Sequence, residues 1–272
     1  MADQELLAIE KRHQDNLIRL RGMRPMDDTF MRCLFKDNIA LTELVLRIIL
    51  NKKDLSVTRI ETQADMKRVT GARSICLDAA AIDSAGAKYD IEVQRASDGA
   101  RPERARYHSS VMDIENLDVG QEFEALPTTY IIFITEKDVF GKGQPCYIIE
   151  SVNITTGELF NDRNHIIYVN GAYEGNSEIG KLMHDFRCSD PNEMCYDLIK
   201  EKAKYLKESE EGVAHMCKIM EEALEQEAKA SRERATVEYI KNLMLNLKWT
   251  AEQAMDALSI PKAEQTAYLK MI

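Results

Sequence analysis

The stretch RSICLDAAAIDSAGAKYDIEVQR, Arg73 to Arg95, decides how this chain folds. It reads as two β-strands joined by one tight turn. Ile75, Leu77, Ala79 and Ala81 alternate with Cys76, Asp78, Ala80 and Ile82, and Tyr89, Ile91 and Val93 alternate with Asp90, Glu92 and Gln94. One face of the second strand is therefore wholly polar, with acids where a half-buried strand tolerates few.

The turn sets which acids meet, because a one-residue slip in pairing exchanges the faces of a strand. A three-residue loop of Ser84, Ala85 and Gly86, with Gly86 in the left-handed conformation open to glycine, pairs Asp83 with Ala87 and, counting back, Asp78 with Glu92. A two-residue loop of Ala85 and Gly86 instead sets Asp78 against Val93. Opposed carboxylates sit roughly 4.5–5.5 Å apart at Cβ and repel by up to about 1 kcal/mol. A divalent cation offsets that repulsion, since Mg²⁺ takes oxygen ligands from one or two carboxylates and keeps waters for chemistry. The alternative reading is a polar hairpin face in solvent.

The order of an Asp, a β-turn and then Glu-x-Gln resembles the PD-(D/E)XK nuclease superfamily, in the branch where Gln stands at the Lys position. The surroundings are closer still to the PD-(D/E)XK nuclease-family transposases, the recombination-promoting nucleases. The likeness includes DDTFMRCLFKDN at 27–38, LDAAAIDSAGAKYDIEVQ at 77–94 and RARYHSS at 104–110, and covers most of the chain from about Pro25 to the mid-180s. It implies an α/β, restriction-endonuclease-like αβββαβ core with a mixed sheet, followed by a helical C-terminal region. It also implies a metal-dependent DNA endonuclease in which Asp78, Glu92 and Gln94 are catalytic. Asp78, Glu92 and the Val93 carbonyl would hold Mg²⁺ (or Mn²⁺). Gln94 in place of Lys removes a positive charge that would stabilise the transition state. The rival reading is a nuclease-fold module that binds nucleic acid or protein and cleaves weakly or not at all. A glycosidase using Asp78 and Glu92 has no sugar cleft to support it.

At 272 residues, 44% hydrophobic and 30% charged, the chain is long enough for one larger domain and an appendage. No apolar run approaches the ~18–20 residues of a membrane span, and the charged first twenty residues contain no signal peptide, so a cytoplasmic protein without a membrane partner is expected. The net charge of −10 argues against broad nonspecific binding to nucleic acid and requires a local basic patch, metal or a partner. Six cysteines without a C-x-x-C pair suit reduced thiols. His184, Cys188 and Cys195 offer three zinc ligands at a spacing that matches no standard module.

Residues 1–24 read as a helical arm and 25–196 as the nuclease-like domain. Within it, one apolar-periodic helix is expected from Asp28 through Leu50, with Phe30, Leu34, Leu41, Leu44, Val45 and Ile48 facing the core. Asp28 and Glu43 on that helix are candidate accessory acids, or simply a cap and a solvated position. SVTRIETQ, Ser56 to Gln63, reads as a strand before a loop at Ala64–Ala72. Pro102 opens a helix on which Arg101, Arg104 and His108 fall on one side beside Tyr107. Arg101, Arg104 and Tyr107 are the candidate nucleic-acid contacts, because guanidinium suits bidentate phosphate binding. TTYIIFITEKD reads as a central strand covered on both faces. Residues 197–235 read as a long charged helix suited to forming a homodimer, and 236–272 as a small helical tail resembling a helix-turn-helix, with Thr250 as an N-cap.

Overall fold

The computed structural model describes residues 2–66, 75–95 and 97–272. After the N-terminal helix α1 (Ala2–Gly22) come α2 (Asp28–Phe35) and α3 (Ile39–Leu50). The single helix expected over 28–50 is thus two. Asp37 adopts a left-handed φ of 54°, and the Asn38 side chain accepts from the Leu41 amide to start the second helix. An Asn that caps competes with the helix that would run through it. The break lets Phe30, Leu34, Leu41 and Val45 all be buried, while Leu44 and Ile48 are only half-buried.

Three antiparallel strands follow, β1 (Val57–Met66), β2 (Ile75–Asp83) and β3 (Lys88–Gln94). β1 runs past the expected Gln63 because Ala64 is buried and paired with Leu77. The rest of the expected 64–72 loop, from residue 67, lies outside the described residues. The helix α4 (Pro102–Asn116), with proline in its first turn, then crosses to β4 (Thr129–Thr135), which is parallel to β3 and buried at every position. This order is the αβββαβ core of a restriction-endonuclease-like fold. β5 (Cys146–Ile149) and β6 (Asn164–Asn170) extend the sheet to the order β1-β2-β3-β4-β6-β5, with β6 parallel to β4.

α4 packs Ala105 and Met112 against Ile131, Phe133 and Tyr168 of the sheet, a core that also takes in Leu77 and Ala64. Burying a side chain such as Ile131 or Phe133 contributes roughly 1.5–3 kcal/mol. The helices α5 (Glu178–Arg187) and α6 (Asp197–Glu208) complete the larger unit. Lys207 of α6 is half-buried and donates to the carbonyls of Arg21, Met23 and Ser189 at 3.0, 2.5 and 2.5 Å. That stitch ties α6 to the end of α1.

The long helix expected from residue 197 is interrupted at Ser209, whose extended backbone ends α6 and whose hydroxyl accepts from the Gly212 amide. The longer helix is α7 (Glu210–Leu247), followed by α8 (Ala251–Ala257) and α9 (Lys262–Leu269). The chain divides into compact units at 1–217 and 218–272. In the second, Ile240, Ala254 and Met255 form a small core with Leu243, Met244, Ile260 and Tyr268, and Thr250 and Gln253 make a reciprocal capping box. Among the described residues no helix is long and apolar enough to cross a membrane.

Candidate active site

The hairpin turn is the three-residue one. Asp83 N donates to Ala87 O at 3.1 Å, and Gly86 takes φ +81°. Asp83 accepts from the amides of Ala85 and Ala87 and from the Tyr89 hydroxyl, which fixes the loop length. The ladder reads Ala81 against Tyr89, Ala80 against Asp90 and Ala79 against Ile91. One further step brings Asp78 to Glu92.

There the side chains grip each other's strand. The Asp78 amide donates to Glu92 Oε1 at 3.0 Å, and the Val93 amide donates to Asp78 Oδ2 at 3.1 Å. Burial first, and then the charge of Glu92, pushes the Asp78 carboxyl up to about 7. Burial and the neighbouring Asp90 push Glu92 up to about 7 as well. Asp90 is fully buried and held well above the ordinary carboxylate range by burial and by Asp78.

Three carboxyl groups therefore share one low-dielectric pocket, and α4 supplies the answer to part of their charge. Arg104 donates through Nη2 to Glu92 Oε2 at 2.8 Å and through Nε to His108 Nε2 at 3.3 Å. With Nε2 accepting, His108 carries its proton on Nδ1, which lies 2.7 Å from Asp90 Oδ2. In the chain Asp90–His108–Arg104–Glu92 the two acids and His108 are buried, and Arg104, 40% exposed, is the member that meets solvent. The i, i+4 spacing of Arg104 and His108 on α4 makes this reach possible.

Gln94 turns back to Glu92, its Nε2 donating to Oε2 at 3.4 Å. Its other amide atom rests where Gly99 has no side chain: a Cβ there would lie 2.1 Å from Gln94 Oε1. Just beyond, Arg24, Asp27, Arg95 and Glu136 form a closed ring of four ion pairs at 3.0–3.4 Å, joining the start of α2 to the ends of β3 and β4.

Of the remaining candidates, Asp28 is exposed and paired with Arg32, and its charge adds to the upward push on Asp78. Glu43 lies elsewhere: it accepts from the Val57 amide and pairs with Arg47. Val57 faces Asp83, five residues along β2 from Asp78, or roughly 17 Å of strand. Arg101 is exposed at the start of α4, and Tyr107 is half-buried against the core beneath it. Asp90 and His108 were not named as site residues by the sequence, although the polar alternation of β3 contains the first and the stripe of α4 the second. Gly99 left no signal.

The donor set tests whether a hard cation belongs here. Asp90 Oδ1 is buried and receives no hydrogen bond among the described residues, and Asp90, Glu92 and His108 bring ligand-type atoms within 4.8 Å of one another; both His108 nitrogens are engaged, by Asp90 and by Arg104, which leaves the two carboxyl groups as the donors. Mg²⁺ or Mn²⁺ takes oxygen ligands from one or two carboxyl groups, and a bound dication would favour their ionised form against the burial that raises them. The residues fit such an ion.

Residues 28–244 match the family model for PD-(D/E)XK nuclease family transposases. The chain belongs to that family. Membership points to a nuclease or transposase type of function, with DNA as the substrate class, and relatives of this nuclease fold generally use a divalent metal. Searches of curated proteins and of solved structures gave no match.

Proposed function

We propose that this PD-(D/E)XK transposase-family protein is a metal-dependent DNA endonuclease of the recombination-promoting type, cleaving phosphodiester bonds at the Asp78, Glu92 and Gln94 site. The observation that carries the reading is the cross-strand pair of half-buried Asp78 and buried Glu92, each pushed up to about 7, with Arg104 as the guanidinium partner of Glu92. Asp78, Glu92 and the Val93 carbonyl would hold Mg²⁺ or Mn²⁺. The bound ion would polarise the phosphodiester and lower the pKa of a water.

The chain's own groups divide the rest of the work. Gln94, within reach of Glu92, orients the attacking water or a phosphate oxygen through its amide. Arg104 supplies from α4 the positive charge that Gln94 lacks, at the mouth of the pocket where developing phosphate charge needs it. His108, braced by Asp90, limits where that guanidinium can sit. Arg101 and Tyr107, on the same helix, extend the contact along the nucleic-acid strand, so a local basic patch replaces the global charge that the protein does not have. Asp28 stands beside Asp78 as an accessory acid. The tail at 236–272 is a helix-turn-helix-like contact, and α7 is the surface for a second copy.

Supercoiled plasmid incubated with and without Mg²⁺ or Mn²⁺ tests the reading. Metal-dependent nicking that disappears in both Asp78→Asn and Glu92→Gln is expected. DNA binding without cleavage under any divalent metal would favour the binding-module reading.

A further inference from the structure

A second constellation of ligand-type side chains lies outside the nuclease pocket, where α5 hands over to α6. His184 and Asp185 occupy the last turn of α5, and Cys195 stands in the connection just before α6. Eleven residues separate His184 from Cys195, yet His184 Nδ1 lies 3.7 Å from Cys195 Sγ and 3.2 Å from Asp185 Oδ1. The three ligand atoms all fall within 4.8 Å of one another.

We propose that His184, Asp185 and Cys195 form a zinc site. Tetrahedral Zn²⁺ with ordinary bond lengths places sulfur and nitrogen ligands about 3.5 Å apart and nitrogen and oxygen ligands about 3.3 Å apart. The observed 3.7 and 3.2 Å are close to those edges, so an ion enters with small side-chain adjustments. Thiolate, imidazole and one carboxylate form a borderline-soft set that selects Zn²⁺ over Mg²⁺. Charge agrees as well, because one thiolate and one carboxylate neutralise the dication.

Asp185 is the preorganised ligand. It is fully buried, and its carboxylate is locked by amides of the loop, Cys195 N to Oδ1 at 2.7 Å and Tyr196 N to Oδ2 at 2.9 Å. Oδ1 keeps a lone pair toward His184. His184 and Cys195 are exposed, which leaves the ion an entry path and a fourth position for water. Binding would convert the Cys195 thiol to thiolate, with its proton released to solvent. Lys181 adds positive charge near Cys195 but is paired with Glu178 at 2.8 Å. The sequence pointed to Cys188 as the third ligand. Its Sγ instead donates to Asp190 O at 3.1 Å, so it is not in the set. The ion would clamp the end of α5 to the start of α6.

The test uses the full chain, Zn²⁺ titrated against a chromophoric chelator, and Co²⁺ as a spectroscopic stand-in. One equivalent of tightly held Zn²⁺ and a thiolate-to-cobalt charge-transfer band are expected. The band should vanish in Cys195→Ser, and Zn²⁺ affinity should fall at least tenfold in His184→Ala. Both should persist in Cys188→Ser and in Asp78→Asn with Glu92→Gln, a double variant that removes the nuclease pocket from the measurement. A wild-type protein without the band overturns the proposal, as does a band that survives Cys195→Ser or disappears in Cys188→Ser.

Discussion

Arg104 Nη2 lies 2.8 Å from Glu92 Oε2, so a half-exposed guanidinium on α4 reaches a fully buried carboxylate on β3. A buried charge left without its partner is costly, by roughly 3–5 kcal/mol when one side of such a pair is deleted. The pair therefore couples the helix that follows the hairpin to the acids within it, and that coupling orders the expected effects of substitution.

Arg104→Ala removes the partner of Glu92 and, on the proposed reading, a phosphate contact as well. DNA affinity should fall, and the slope of log K against log salt should become shallower by about 1. Arg104→Lys keeps the charge but loses the fork that bonds Glu92 and His108 together, so it should restore the salt slope while recovering only part of the cleavage rate. Fluorescence anisotropy across a salt series separates the two. An unchanged slope in Arg104→Ala would place the residue outside the nucleic-acid contact.

If Glu92 is the proposed metal ligand, Glu92→Ala should abolish both cleavage and Mn²⁺ binding. Gln94→Ala deletes hydrogen bonds worth about 1–3 kcal/mol and should slow cleavage by roughly tenfold to a hundredfold with metal affinity nearly intact. Gln94→Lys restores the usual charge of the superfamily and should keep or raise the rate. Calorimetric Mn²⁺ titration beside the cleavage assay checks the order, and equal loss of metal binding in Glu92→Ala and Gln94→Ala would contradict it.

Gly99 is glycine for want of space, since its Cβ would meet Gln94 Oε1 at 2.1 Å. Gly99→Ala should swing Gln94 away from Glu92 and reproduce the kinetic defect of Gln94→Ala, with thermal stability changed little because the displaced atom ends a flexible side chain. The two defects should not add in the double variant. Additive losses would show that Gly99 acts elsewhere.

The raised carboxyls make a signed prediction about pH. Asp78 and Glu92 move from ordinary values of 3.8 and 4.5 to about 7 each in the fold. The folded chain then keeps protons that the unfolded chain has released, so this stabilisation is complete below about pH 4 and is lost as pH rises through about 7. In chelator, Tm should fall across that window, and Mn²⁺ at neutral pH should recover it. The Asp78→Asn, Glu92→Gln protein should show a flatter profile; an identical profile would mean that these two groups do not carry the titration.

What the sequence by itself determined is local. Alternation in ICLDAAAID and KYDIEVQ, with a turn at Gly86, was enough to set β2 against β3 and to narrow the partner of Asp78 to Glu92 or Val93; the three-residue turn held by Asp83 decided for Glu92, because one residue of turn length exchanges the faces. TYIIFIT announced a central strand by apolar content alone, and Pro102 announced α4 by its tolerance of a first turn. Where local chemistry was ambiguous the reading ran long: nothing in the periodicity from Asp28 to Leu50 distinguishes one helix from two until Asp37 turns left-handed and Asn38 caps. Tertiary structure decided the rest. Burial converts three acids on a polar face into a pocket of raised carboxyls, since desolvation depends on what α4 and the sheet exclude, which no single strand encodes. The same crossover brings Arg104 to Glu92 across 12 residues and His108 to Asp90 across 18, and the α5–α6 connection brings Cys195 to His184 across 11. The sequence could group His184 with Cys195 and Arg104 with His108, but which atoms meet, and at what distance, is set by how the elements pack.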